Sequence, residues 1–104
     1  MSKREYIRQI LAAGKAALFL AKMVKEHQVS RTCRYKLTTF IKRVGGNATA
    51  LSILVGELRK ARFRVEGRSR VHVEKDRVGE IERIGVSLIR RSGLDAEQVV
   101  QAQV

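Results

Sequence analysis

Residues 31–75 read RTCRYKLTTF IKRVGGNATA LSILVGELRK ARFRVEGRSR VHVEK, and the fold is decided at two places within them. The first is Gly45–Gly46, which interrupts two runs of helical periodicity. Before it, Cys33, Leu37, Phe40, Ile41 and Val44 recur at mostly three- and four-residue spacing and predict a helix from about Arg31 to Val44. Ser30 or Thr32 would cap that helix, and Arg34, Lys36, Lys42 and Arg43 lie away from its apolar series. After the glycines, Asn47 can cap a helix of about Ala48 to Ala61 with Leu51, Leu54, Val55 and Leu58 on one face. Thr49, Ser52, Ile53, Gly56, Arg59 and Lys60 form its other face, where small side chains leave room for a base edge or another helix.

The second place is Phe63, where the period changes from 3.6 residues to two. Phe63, Val65, Val71 and Val73 point one way and Arg64, Arg70 and His72 the other, with Glu66 to Ser69 left for a turn. This is the pattern of a β-hairpin, which needs helices beside it because two strands alone are barely stable.

Outward from this stretch, residues 1–29 are expected to form one long helix. Ser2 with Glu5 three residues on is a capping-box pattern. Ile7, Ile10, Leu11, Gly14, Ala17, Leu18, Ala21 and Val24 continue at helical spacing, and Phe19, Leu20 and Met23 widen the apolar surface. At about 100° per residue, Arg4, Arg8, Lys15 and Lys22 fall in one narrow strip, either a solvated face or a ladder of phosphate contacts. In residues 76–104, Asp76 would cap a fourth helix with Val78, Ile81, Ile84 or Gly85, Leu88 and Ile89 inward, ending near Gly93. Leu94 to Val104 either adds a short helix capped by Asp95 or frays. The expected whole is a single, mainly α domain: a small helical fold with one β-hairpin and a C-terminal helix for packing or dimerisation.

The 104 residues carry 22 Lys and Arg against 10 Asp and Glu, a net charge of +12. Self-repulsion makes so large an excess costly unless an anion offsets it, which points to nucleic acid before acidic lipid. The charge is unevenly spread: residues 1–44 hold eleven basic and two acidic side chains, residues 45–75 seven and three, and residues 76–104 four and five. A basic body with a near-neutral tail separates binding from packing. An apolar fraction of 44% with 31% charged residues suits a chain that folds.

The order helix, helix, glycine turn, helix, basic hairpin over residues 31–75 resembles the winged helix-turn-helix family of DNA-binding proteins. Ile41, Gly45, Leu51, Leu54 and Leu58 carry the resemblance, at the inter-helix contact, the turn and the buried face of the recognition helix. It implies that the third helix enters a major groove while the hairpin grips the adjacent backbone. Ile41 stands where the family usually has a small residue, and the double glycine departs from its usual turn. The residues expected to meet nucleic acid are Arg34, Lys42, Arg43, Thr49, Ser52, Arg59, Lys60, Arg62, Arg64, Arg68 and Arg70. Thr49 and Ser52 read bases weakly, and the arginines from 59 to 70 suit phosphates.

Enzymatic chemistry finds no footing: there is no Ser, His and Asp set, no phosphate loop followed by lysine, and Glu80 and Glu82 lie on different sides of one helix. No cofactor or metal is expected, since Cys33, His27 and His72 are too few ligands for zinc. A single cysteine rules out an intrachain disulfide and fits a reducing, cytoplasmic setting, with Cys33 a small core residue. Lys15 and Lys22 break the apolar run of the first helix, so neither a membrane span nor an export signal is expected. The leading expectation is thus a transcriptional regulator that binds duplex DNA, dimeric through its first and C-terminal helices. The alternative is a helical accessory or inhibitor protein of a phage or mobile element that docks on an acidic protein or a ribonucleoprotein. RNA binding is third, because single-strand recognition commonly stacks bases on rings and this chain has only three Phe and two Tyr.

Overall fold

A computed structural model describes residues 1–27 and 32–93. Ser2 starts the first helix, α1 (Lys3–Glu26), its Oγ accepting the Glu5 backbone N–H at 3.1 Å. Only this half of the capping box forms, because the Glu5 carboxylate is used by Gln9 Nε2 at 2.9 Å. Gln9 then reaches across the fold, its Oε1 accepting the Asn47 backbone N–H at 2.9 Å, which fixes α1 against the glycine turn.

The expected helix from Arg31 to Val44 is corrected. Its first part is a strand, β1 (Thr32–Lys36), and only Leu37–Arg43 is helical, as α2. Thr32 therefore belongs to a strand rather than a helix cap, and Ser30 lies outside the described residues. Cys33 to Leu37 is a four-residue step, and the sequence alone could not separate a helical face from a strand running into a helix. The tertiary partner decides it: β3 (Arg70–Glu74) pairs antiparallel with β2 (Val65–Glu66) on one edge and with β1 on the other, in the order β1-β3-β2. Cys33 faces Val73, Arg34 faces His72, Tyr35 faces Val71 and Lys36 faces Arg70. Cys33 is half-buried against the core rather than within it. The hairpin forms with the expected facing, Val71 and Val73 buried and Arg64 and Arg70 exposed, but its first strand is only Val65–Glu66, so Glu66 pairs with Arg70 rather than lying in the turn.

Two helices end in the same way. After α2, Gly45 adopts φ +74° and donates to Lys42 O, while Gly46 donates to Ile41 O at 2.8 Å, a Schellman closure. Gly46 is required for space as well, since a Cβ there would stand 3.0 Å from both Ile41 Cγ2 and Ala50 Cβ. After α3 (Ala48–Lys60), capped by Asn47 Oδ1 on the Thr49 N–H, the corresponding bonds run from Arg62 to Arg59 O and from Phe63 to Leu58 O, each 2.9 Å. Here the left-handed residue is Arg62, at φ 65°, a conformation that costs a side chain about 1–2 kcal/mol. Arg77 holds this turn closed. Its guanidinium donates to Ala61 O at 2.6 Å and Arg62 O at 3.2 Å, pairs with Glu80, and lies 3.8 Å from the Phe63 ring centroid. Arg62→Gly is expected to raise stability by about 1 kcal/mol in urea unfolding, since relieved strain outweighs the extra unfolded-state freedom of glycine. A loss of stability would mean that the Arg62 side chain holds the turn.

Asp76 does not cap the last helix. Lys75–Arg77 form one turn of 3-10 helix, and α4 (Val78–Arg91) follows with Arg77 at its cap position and no side-chain cap bond. Its inward residues Ile81, Gly85, Leu88 and Ile89 are the expected ones. They pack on α1, which buries most of the apolar residues of both helices within the chain, while Ile7 of the expected inward series and its neighbour Tyr6 stay exposed. The crossing is glycine on glycine: a Cβ at Gly14 would meet Ile89 Cγ1 at 2.7 Å and Gly85 O at 2.9 Å, and one at Gly85 would meet Gly14 O at 3.0 Å. Alanines 13, 16 and 17 on α1 are fully buried alongside. The segment Leu94 to Val104 lies outside the described residues. Among the described residues, no helix is long and apolar enough to cross a membrane.

Candidate functional site

The strand β1 changes which basic residues act together. Along it Tyr35 is buried and Arg34 and Lys36 are exposed, the alternation of a sheet with one face on the core. On the outer face, β1, β3 and β2 contribute rows across the sheet. Lys36, Arg70 and Glu66 form one row by register. Arg34 and His72 form the next, extended by Arg64, whose backbone O accepts the His72 N–H at 2.9 Å. Placed by the sequence on a helix, Arg34 thus joins Arg64 and Arg70. Lys36 was missed as a site residue, and the signal for it was the two-residue alternation from Cys33 to Lys36.

Glu66 sits among these cations. Its carboxylate lies 3.7 Å from Arg34, 3.3 Å from Arg64 and 2.9 Å from His72 Nε2. The histidine contact is a close approach without hydrogen-bond alignment, and Nε2 is sealed from solvent with no bonded partner among the described residues. His72 is thus half-buried beneath its neighbours rather than a plain surface residue. Its proximity, followed by the Arg64 and Arg34 charges, holds the Glu66 carboxyl below the usual carboxylate range. Glu57 and Glu80 are held low in the same sense, by the Arg91 and Arg77 guanidinium groups. Carboxyls depressed by folding contribute stability above the ordinary glutamate range and lose it as the pH falls through their depressed values. Acid therefore loosens these contacts and alkali does not.

Lys36 and Arg70 are relieved less: Glu66 stands opposite Arg70 on β2 by register, but its carboxylate contacts Arg34, Arg64 and His72. Lys36 and Arg70 face each other directly across β1 and β3, and among the described residues neither is in an ion pair. Like charges directly opposite destabilise a sheet, so the pair is a standing cost that an added anion would remove. Arg68 extends the face at the exposed hairpin turn. Arg59 ties that turn to α3, its Nη2 donating to Gly67 O at 2.9 Å.

The exposed side of α3 is different. Ala48, Ser52, Arg59 and Lys60 are exposed and Thr49, Ile53 and Gly56 half-exposed, and a Cβ added at Gly56 would meet nothing within 4 Å. Its long polar side chains, Arg59 and Lys60, come only in the last turn, and Lys60 is paired with Glu57 at 3.6 Å. Asn47 is consumed by capping. Lys42 and Arg43 stand elsewhere, at the end of α2, with the Arg43 guanidinium 5.5 Å from the centroid of the Phe19 ring of α1. Of the sequence-expected residues, Arg34, Arg64 and Arg70 share the sheet face, with Arg68 at its turn. Arg59, Lys60 and Arg62 end the helix beside it, Thr49 and Ser52 lie farther up that helix, and Lys42 and Arg43 belong to a separate surface.

Among the described residues, no group of three or more His, Cys, Asp or Glu could hold a metal ion. The hydroxyl of Tyr35, whose phenol is pushed up by burial and then by neighbouring Cys33, meets His27 Nδ1 at 2.9 Å. The two rings stack in parallel, which ties the end of α1 to β1. A comparison of the chain with described protein families, curated proteins and solved structures finds no match in any of the three.

Proposed function

We propose that this protein binds duplex DNA in the manner of a winged helix-turn-helix regulator, with the outer sheet face and hairpin on the phosphate backbone and α3 alongside. The observation that carries the reading is the directly opposed Lys36–Arg70 pair, neither member of which makes an ion pair among the described residues, on a face that also holds Arg34 and Arg64. The element order supports it too: helix, strand, two helices around a tight turn, then a hairpin whose second strand is central in the sheet. Phosphate contacts account for affinity, and the small side chains of Thr49, Ser52 and Gly56 let α3 approach closely while reading little.

A salt titration of binding to duplex DNA, single-stranded DNA and duplex RNA tests this. The expected result is preference for duplex DNA, with log affinity falling about 0.9 per phosphate contact for each tenfold rise in salt. Affinity independent of salt would overturn it. Competition with random duplex then tests regulation: equal affinity for all sequences leaves backbone binding and removes the regulator. The smooth face of α3 favours one second reading, an accessory protein docking on an acidic protein partner, which absence of binding to every nucleic acid at low salt would support.

Glu66 occupies the place a phosphate would take among Arg34, Arg64 and His72. Glu66→Gln is accordingly expected to tighten DNA binding by roughly three- to tenfold at low salt, the value of about one extra neutralised phosphate. Weaker binding would mean instead that the carboxylate holds the arginines in their binding positions.

A further inference from the structure

The basic strip of α1 is not absorbed by this reading. Arg4, Arg8, Lys15 and Lys22 fall within about 40° of one another around the helix, on the side opposite the buried Ala13, Ala17, Leu20 and Val24. From Arg4 to Lys22 the strip runs about 27 Å at 1.5 Å per residue, roughly the rise of eight base pairs. The end of α2 lies beside it. Arg43 reaches over Phe19, between Lys15 and Lys22, and a groove of about 260 Å3 is lined by Arg8, Leu11, Lys15, Val44 and Gly45. Along this surface the one ion pair among the described residues is the loose contact of Arg8 with Glu5 at 3.7 Å. Arg4, Lys15, Lys22, Lys42 and Arg43 make none among the described residues.

The strip and the sheet face belong to different elements that pack their inner sides on one core containing Leu20, Val24, Tyr35, Val71 and Val73. Their outer sides therefore diverge. A straight duplex seated on one cannot follow round to the other, and two anionic rods can be held at once.

We infer that the α1 strip, with Lys42 and Arg43, is a second duplex-binding surface, so that one molecule bridges two nucleic-acid segments. This rests on the sheet face binding the first. A strip of rigidly spaced cations suits a rod of regularly spaced phosphates. A membrane surface would favour a broad amphipathic face, whereas here the apolar side of α1 is occupied by the rest of the fold.

The test uses the full chain, a biotinylated 20-base-pair duplex on a surface and a fluorescent duplex of the same length in solution. Wild-type protein on the first duplex is expected to capture the second. The triple variant Arg8→Gln, Lys15→Gln, Lys22→Gln alters charge on exposed or half-exposed positions and keeps good helix formers. It is expected to bind the surface duplex within about threefold of wild type yet to lose at least tenfold of the captured signal, with light scattering giving the same mass for both proteins. Capture retained by the triple variant would overturn the inference and assign bridging to self-association. Wild-type binding of the first duplex without capture of a second would overturn it and leave the proposed function standing, as would strip-dependent binding to phosphatidylserine vesicles in place of capture. No binding of the first duplex would overturn both.

Discussion

A chain carrying Lys36→Thr and Arg70→Thr is expected to bind duplex DNA about 60-fold more weakly than wild type at about 0.1 M salt, with a salt slope shallower by about 1.8. The figure follows from counterion release, in which each phosphate contact is worth about 8-fold for a tenfold change in salt, so two contacts multiply to about 60-fold. The same chain is expected to unfold at no lower temperature than wild type. Removing the directly opposed cations of β1 and β3 relieves repulsion. Threonine suits a strand, and at position 36 it can cap α2, whose present cap residue, Lys36, makes no side-chain bond. Weaker binding with undiminished stability separates a charge kept for binding from one kept for folding. Unchanged affinity and slope would remove the sheet face from the interface, and a lower melting temperature would mean that the long side chains of Lys36 and Arg70 cover apolar surface.

The largest stability effect is expected at the crossing of α1 and α4. Gly14→Val places its Cβ 2.7 Å from Ile89 Cγ1 and 2.9 Å from Gly85 O, before its two methyl groups are counted. A carbonyl oxygen of a neighbouring helix cannot turn aside as a side-chain tip can, so the helices must separate along their contact. Overpacking of this kind costs about 3 kcal/mol or more where backbone obstructs, against a total stability of about 5–15 kcal/mol for a domain. The melting temperature should fall by more than about 10 °C, since 1 kcal/mol is worth about 4–8 °C at this size. Gly56→Ala is the counterpart, because a Cβ there meets nothing within 4 Å and helical alanine is favoured over glycine by about 0.5–1 kcal/mol. The first variant should melt early and the second late by circular dichroism. If Gly14→Val melts with wild type, the close approach of the two helices is not what holds them.

Arg77 shows how tertiary structure can supply what a local rule lacks. The turn after α3 has the hydrogen bonds of a glycine-closed helix end with an arginine in the left-handed position. Nothing near Arg62 in the chain explains its tolerance there. Arg77, fifteen residues on, bonds the carbonyls of Ala61 and Arg62 and covers Phe63.

Elements whose signals are local were legible from the residues alone. Ser2 and Asn47 mark helix starts because their side chains reach an N–H two or three residues on, and Gly45 marks an end because its left-handed conformation is free of steric cost. The periodicities of α1, α3 and α4 and the two-residue pattern from Phe63 to Val73 are likewise written in adjacent residues. The strand β1 was settled instead by its distant partner. Cys33 and Leu37 satisfy a helical spacing as well as a strand followed by a helix, and the choice rests on hydrogen bonds to β3, some forty residues away. The candidate site followed the same division. Arg64, Arg68 and Arg70 were legible in the hairpin, whereas Lys36, and the place of Arg34 beside them, depended on that long-range pairing. Local hydrogen bonds leave a mark at fixed offsets in the chain, and a strand's partner across a sheet leaves none.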